Sequence, residues 1–295
     1  MKTLIVIGGP TASGKTGLAI EVARYFHTEI LSADSRQCFR ELNIGVAKPH
    51  HSQLEEVKHH FINSHSIHDQ MSAGIYEKYG LEKLNEIFLK NDIAVCVGGT
   101  GLYIKSLCEG IDEMPEVDKQ IEAEVHALYK EKGITYLQNE IKLHDVQFFQ
   151  NSEIQNPHRL IRALVFKKSN GISILEYQKK AVQKREFNIQ FFALDVSREK
   201  LYQQINNRVD IMMEEGLLEE AKVLYSFKDL KPLQTIGYRE LFDYFENKYS
   251  YNEAVDKLKQ HTRNYAKRQM NWFRHQGHFQ WIEPIFQNII NHSSL

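Results

Sequence analysis

Hydrophobic residues in the first hundred positions follow two rhythms. Residues 4–7, 29–32 and 93–97 form short runs rich in β-branched and apolar side chains, as expected of strands buried on both faces. Between them, residues 14–26 and 72–89 repeat apolar side chains every three or four positions, the mark of helices with one buried face. This alternation predicts a doubly wound α/β unit, a parallel sheet flanked by helices. After Gly110 the β-branched runs stop, and residues 111–186 keep a helical period with charges throughout. An inserted all-helical domain is expected there. A returning strand at 189–196 and helices at 199–215, 217–226 and 252–275 complete the pattern. The core is therefore assigned to residues 1–110 and 187–295, and the insertion to 111–186.

Composition narrows this picture without naming a function. With 42% hydrophobic and 25% charged residues over 295 positions, the chain resembles ordinary globular proteins and is long enough for a sizeable core. Cys38, Cys96 and Cys108 show no CxxC spacing, which argues against a disulfide framework or zinc ribbon and for a reducing cytoplasm. The apolar opening run is too short for a signal peptide, and no stretch approaches the ~20 apolar residues of a membrane span. A cytoplasmic monomer without a membrane partner is expected.

The formal net charge of −1 conceals segregation. Residues 112–145 hold nine acids against four bases, whereas 157–185 hold eight Lys or Arg against Glu176 alone. Residues 257–281 carry six Lys or Arg and no acid. Two basic blocks in a neutral chain point to a polyanionic partner. On the closing helix, Lys259, Arg263, Lys267 and Arg274 share one side, and Leu258, Tyr265 and Trp272 share the other.

Gly9-Pro10-Thr11-Ala12-Ser13-Gly14-Lys15-Thr16 fits G-x-x-x-x-G-K-[ST] and lies between an expected strand and an expected helix. Backbone N–H groups of such a P-loop face a diphosphate, while Lys15 offsets its charge and Thr16 offers a hydroxyl to Mg²⁺. A nucleoside triphosphatase would add a carboxylate at the end of a neighbouring strand. Here residues 93–97 run into Gly98-Gly99-Thr100-Gly101 instead. That favours a diphosphate that departs over a triphosphate that is hydrolysed. Asp34, just beyond the second strand, is placed to reach the same ligand. Two readings of it stay open: a general base for a weakly nucleophilic amine, or a cap for the following turn.

Further motifs follow in order: Asp34-Ser35, Ile44-Gly45-Val46-Ala47-Lys48-Pro49, Val97-Gly98-Gly99-Thr100-Gly101-Leu102-Tyr103 and Pro157-His158-Arg159-Leu160-Ile161-Arg162-Ala163-Leu164. Arg208-Val209-Asp210, Thr235-Ile236-Gly237-Tyr238-Arg239-Glu240 and Thr262-Arg263-Asn264-Tyr265-Ala266-Lys267-Arg268-Gln269 complete the series. Over nearly its whole length the chain thus resembles the bacterial tRNA dimethylallyltransferases, also called tRNA isopentenyltransferases. The resemblance implies transfer of a dimethylallyl group from dimethylallyl diphosphate to N6 of the adenosine just 3′ of the anticodon, with Mg²⁺ and release of pyrophosphate. It makes Asp34 the general base, gives Lys15 and Thr16 the diphosphate and its metal, sets Thr100 at the reaction centre and assigns Arg208 to the leaving pyrophosphate.

Contacts to the tRNA anticodon stem-loop are implied for Asp34, Ser35, Arg36, Gln37, Thr100, His158, Arg159, Leu160, Ile161, Arg162, Arg239, Arg263, Lys267 and Arg268, with the helical insertion gripping the stem. The sequence departs from the family pattern at Phe39, Val46 and Asn156, none of them an implied catalytic group. The zinc finger of eukaryotic relatives is missing, since no cysteine follows Cys108.

Plainer readings stand beside these. His50-His51, His59-His60, His65 and His68 lack the acids or cysteines of a recognisable metal spacing. Arg159 and Arg162 suit either successive phosphates or a solvated helix face, and an isolated Arg208 would suit a surface. The competing functions are a P-loop nucleotide kinase, an adenine-nucleotide isopentenyltransferase and a non-catalytic RNA-binding module.

Overall fold

The structure is a computed structural model that describes residues 2–112, 114–178 and 182–292. Among these, six strands form one sheet: β1 (Thr3–Gly8), β2 (Ile30–Ser32), β3 (His59–His60), β4 (Ile93–Gly98), β5 (Asn188–Leu194) and β6 (Gln280–Ile282). Their order is β3-β2-β4-β1-β5-β6, and every pairing is parallel. Helices α1 (Lys15–Tyr25), α2 (His51–Glu56), α3 (Ala73–Phe88) and α4 (Gly101–Glu109) accompany the first four strands. Then come α5 (Lys119–His144), α6 (Val146–Asn151), α7 (Pro157–Asn170) and α8 (Ile174–Tyr177). The chain ends with α9 (Arg198–Glu214), α10 (Leu217–Leu224), α11 (Tyr238–Phe245), α12 (Tyr251–Arg274) and α13 (Phe286–His292). It divides into two compact units, residues 1–110 with 183–295, and residues 111–182.

Why β1 reads as an unbroken apolar run is visible in its packing. Leu4 and Val6 point into a core shared with Tyr76, Leu84, Leu107 and Phe273, whereas Ile5 and Ile7 join Leu18, Val22 and Ile289 on the other face. Both faces are covered, so alternation is lost. From β1 the chain passes through α1 to β2, and β4 later enters between them. Such a reversal opens a crevice at the carboxyl ends of β1 and β4. Gly98 closes that end of β4 so tightly that a Cβ there would sit 2.2 Å from the Ala33 carbonyl oxygen.

β3 and β6, two and three residues long, are too short to show a period and escape sequence reading. The first holds the His59-His60 pair as a sheet edge, with His60 Nε2 2.5 Å from Glu29 Oε2. The helical unit has its own core, which includes Val125, Leu137, Ile141, Leu164 and Phe166. At the head of α7, Asn156 Oδ1 accepts the His158 and Arg159 N–H groups at 3.0 and 3.4 Å, and Pro157 stands at the first turn where its missing N–H costs nothing. The departure at Asn156 is thus a helix cap. Leu160 and Ile161 are buried in this core, so their side chains are structural rather than RNA contacts.

Arg185 also leaves the RNA-binding block to which its charge assigned it. It returns to the core unit, where Nη2 lies 2.6 Å from Glu77 Oε1 and donates to Ser106 O at 2.8 Å, while Nε donates to Leu107 O at 2.9 Å. Lys179 and Lys180 of the same block lie outside the described residues. Arg185 and Glu77 are only 9% and 13% exposed, so Arg185→Ala strands a buried carboxylate. We expect a loss of about 3 kcal/mol in urea unfolding. A change below ~1 kcal/mol, the range of solvated surface pairs, would show that water already replaces the pair.

Candidate active site at the carboxyl edge of the sheet

The loop between β1 and α1 turns back on itself through left-handed backbone at Ala12 (φ 63°) and Gly14 (φ 87°). Ala12 carries a Cβ in that region, a local strain that the surrounding loop must hold. Inside, the Pro10 carbonyl accepts the Ser13 hydroxyl at 2.8 Å and also the Lys15 ammonium. No side chain caps the start of α1, and its first turn contains no acid. Its leading N–H groups are left for an anion.

Two cations serve this loop. Arg208, on α9, donates from Nη1 to Thr11 Oγ1 at 3.4 Å. Burial first, and the Arg208 charge second, push the Lys15 ammonium down to about 7, with Asp34 opposing them. Burial also lowers the Arg208 guanidinium from its ordinary value. Like charges gathered at a loop of free N–H groups form a receptor for a multiply charged anion.

Asp34 follows β2 and faces the same cavity, of about 1170 Å³, as residues 11–17. Its Oδ1 accepts Arg36 N at 2.8 Å and Gln37 N at 3.2 Å, so the carboxylate does cap the turn. Among the described residues Oδ2 has no protein hydrogen-bond partner. The cap thus occupies one oxygen and leaves the other without a protein partner. Thr100 is not on the cavity wall. Its Oγ1 accepts Ser35 N at 3.1 Å and so steadies the residue next to Asp34. Gln37 Nε2 donates to Val46 O and Ala47 O at 3.3 and 2.9 Å, joining the turn to the Ile44–Val46 segment. Val46 lines the cavity and accepts Gln37 through its backbone carbonyl, whereas Phe39 is buried in the core away from it.

Gln269 and Glu220 were given no role by sequence reasoning. Gln269 is buried on α12, accepts Thr11 N through Oε1 at 2.8 Å and donates from Nε2 to Gly99 O at 2.9 Å. A polar residue between Ala266 and Phe273 on a buried stripe was the available signal. Glu220 receives Ile44 N, Gly45 N and the Tyr238 hydroxyl at 2.8, 2.9 and 2.6 Å. No local pattern could have revealed that pairing, which joins α10 to a distant turn.

Of the residues expected to meet RNA, the cavity wall includes Asp34, Ser35, Arg36, Gln37, Arg239 and Arg268. Tyr265, expected on the docking side of α12, also lines it, and burial followed by the Asp34 charge pushes its hydroxyl up to about 12. Other expected cations are already engaged within the unit. Arg263 donates to Asn206 Oδ1 at 2.6 Å, and Lys259 pairs with Asp210 at 2.5 Å, because α12 packs that side against α9. Lys267 and Arg268 stay exposed, as do His158, Arg159 and Arg162 on the helical unit.

A sequence model described as IPP transferase matches residues 37–276, beginning just past the phosphate loop and Asp34. A tRNA dimethylallyltransferase of Christiangramia forsetii is 44% identical over 280 residues, covering 95% of this chain and 93% of its own. One from Flavobacterium johnsoniae is 42% identical over 292 residues, covering 96% and 94%. The crystal structure of the full-length tRNA isopentenylpyrophosphate transferase of Bacillus halodurans superposes with a TM-score of 0.72 at 32% identity, covering 99% of this chain and 94% of that one. Since the family model spans most of the chain and the two relatives match it over 95% and 96% of its length at 44% and 42% identity, the chain belongs to the IPP transferase family.

Proposed function

We infer that the protein is a tRNA dimethylallyltransferase, moving the dimethylallyl group from dimethylallyl diphosphate to N6 of the adenosine just 3′ of the anticodon and releasing pyrophosphate. The observation that carries this reading is the cavity itself, with a cationic phosphate loop on one side and the unpartnered Oδ2 of Asp34 on another. Its volume exceeds the ~300–1,000 Å³ of typical small-ligand sites, which suits two reactants meeting there. Adenine N6 attacks C1 of the allylic group, the C1–O bond breaks with its electron pair going to pyrophosphate, and the N6 proton passes to Asp34. Lys15, Arg208 and the loop N–H groups stabilise the charge that develops on the departing oxygen.

Thr16 lines the cavity, and its hydroxyl has no protein partner among the described residues, which fits a Mg²⁺ ligand. No group of three His, Cys, Asp or Glu side chains able to hold a metal occurs among them, so the diphosphate would supply most of the remaining oxygens. Mg²⁺ would offset charge on the pyrophosphate. A target base stacked in its loop must turn out to enter the cavity, at a cost that phosphate contacts elsewhere offset. Exposed Arg159 and Arg162 on the helical unit, and Lys267 and Arg268 on α12, are the cations proposed for those contacts. No helix among the described residues is long and apolar enough to cross a membrane. With tRNA as substrate, and cradle and base in one chain, a cytoplasmic monomer is proposed.

Replacing Asp34 by Asn keeps the turn's acceptor but removes the base. Single-turnover transfer to an anticodon stem-loop should fall by ~10² or more, with stem-loop affinity unchanged. A normal rate in this variant, or equal rates on AMP and the stem-loop for the unmodified enzyme, would point to a different reaction.

Lys15 gives a pH test. With its ammonium near 7 in the free protein, most molecules lack that proton at pH 8, and a bound diphosphate restores it. Binding should therefore take up a proton at pH 8, and affinity should weaken as pH climbs from 7 to 9, by at most about tenfold per unit. Calorimetry in buffers of different ionisation enthalpy reads this uptake directly, and Lys15→Arg should abolish it. Equal uptake by that variant would assign the proton elsewhere.

Binding to the stem-loop should depend on salt through the four exposed cations. Removing Arg159 with Arg162, or Lys267 with Arg268, should flatten the slope of log affinity against log salt by about one to two. Arg263→Gln should change the slope less than either pair, and the reverse ranking would reassign the contacts.

A further inference from the structure

We propose that Gln269 is a positioning residue that fixes the spacing between the phosphate loop and the Asp34 turn. This rests on the transferase reading above. The side chain is 7% exposed and lies between two backbone segments, holding one by each end of its amide. Oε1 takes the Thr11 N–H of the phosphate loop at 2.8 Å, and Nε2 gives a hydrogen to Gly99 O at 2.9 Å. From Gly99 the connection continues without a break. Thr100 N donates to Ala33 O at 3.1 Å, and Thr100 Oγ1 accepts Ser35 N at 3.1 Å, on either side of Asp34. On the other flank, Thr11 Oγ1 meets Arg208. One amide thus ties the groups that hold the leaving diphosphate to the turn that carries the proton acceptor.

The fit leaves no slack on the Gly99 side, where a Cβ would fall 2.2 Å from Gln269 Nε2. Only an amide serves both ends, because one segment offers a donor and the other an acceptor. A carboxylate could receive Thr11 N but would face Gly99 O with a second acceptor. Methionine has the length and neither function. Since in-line displacement depends on a reacting geometry held within a fraction of an ångström, loosening this tie should reduce the chemical step more than the binding of either substrate.

The test compares Gln269→Glu and Gln269→Met with the unmodified full-length protein. Both variants should unfold within a few degrees of the parent, while single-turnover transfer at saturating dimethylallyl diphosphate and stem-loop falls at least tenfold and the KM for the diphosphate shifts less than threefold. In Gln269→Glu the loss should shrink, relative to the parent at the same pH, as pH falls, because a protonated carboxyl regains the donor. Methionine should show no such recovery. Hydrogen exchange gives a readout independent of the reaction: peptides covering residues 9–16 and 33–37 should both exchange faster in the variants. A rate that drops only with the folded fraction, a defect confined to KM, or faster exchange in residues 9–16 alone would overturn the proposal. If the unmodified protein failed to prenylate the stem-loop, the transferase reading would fall, and exchange would still decide the tie.

Discussion

Lys15 and Arg208 bring like charges to one loop, and much of the core unit is built to keep them there. Neither cation has a carboxylate partner at hydrogen-bond distance, since Lys15 gives its hydrogens to Pro10 O and Ser13 Oγ, and Arg208 to Thr11 Oγ1. Burial first and the Arg208 charge second push the Lys15 ammonium down to about 7. Such a pair stays near the loop because α9 and the sheet edge fix its backbone anchors, and because Asp34 lends partial compensation from across the cavity. An anion at this loop would reverse the balance, turning mutual repulsion into shared attraction.

The same edge imposes a second constraint, on volume. Gly98 stands where any side chain would collide with the Ala33 backbone, so the end of β4 cannot hold there the carboxylate that a triphosphatase uses. Missing acid and tight backbone approach are one fact seen twice. The β4 loop instead contributes hydrogen-bond geometry, through Gly99 O and Thr100 Oγ1.

Long periodic segments were legible in the sequence: β1, α1, α3, β4 and α12 lie within a residue or two of expectation, because each buries a continuous face. The phosphate loop was legible too, as its chemistry depends on local order alone. What escaped was set by tertiary contact. β3 and β6 exist only as neighbours of β2 and β5, and α11 is held by Glu240 through Gly237 N and His261, a pairing no local period announces. Charge counting misled for the same reason. Arg185 and Arg263 count as positive in any window, yet one is buried against Glu77 and the other is held by Asn206 and lies over Tyr202. A run of cations locates a partner only after the protein's own acceptors have claimed their share.

Asp34 shows why two readings of one residue need not exclude each other. A carboxylate free to rotate would spread its second oxygen over many positions, and would lose most of the advantage of a fixed place beside a reactant. Tying Oδ1 to Arg36 N and Gln37 N fixes the plane of the group, which in turn fixes Oδ2. The turn it caps is itself anchored, through Gln37 to Ala47 O and through Ser35 to Thr100. Capping thus fixes where the second oxygen stands. The same logic applies to Thr100, whose hydroxyl holds the backbone of the residue next to Asp34. In this fold the groups that place Asp34 lie one hydrogen bond behind its turn, on backbone segments that strand order brings together.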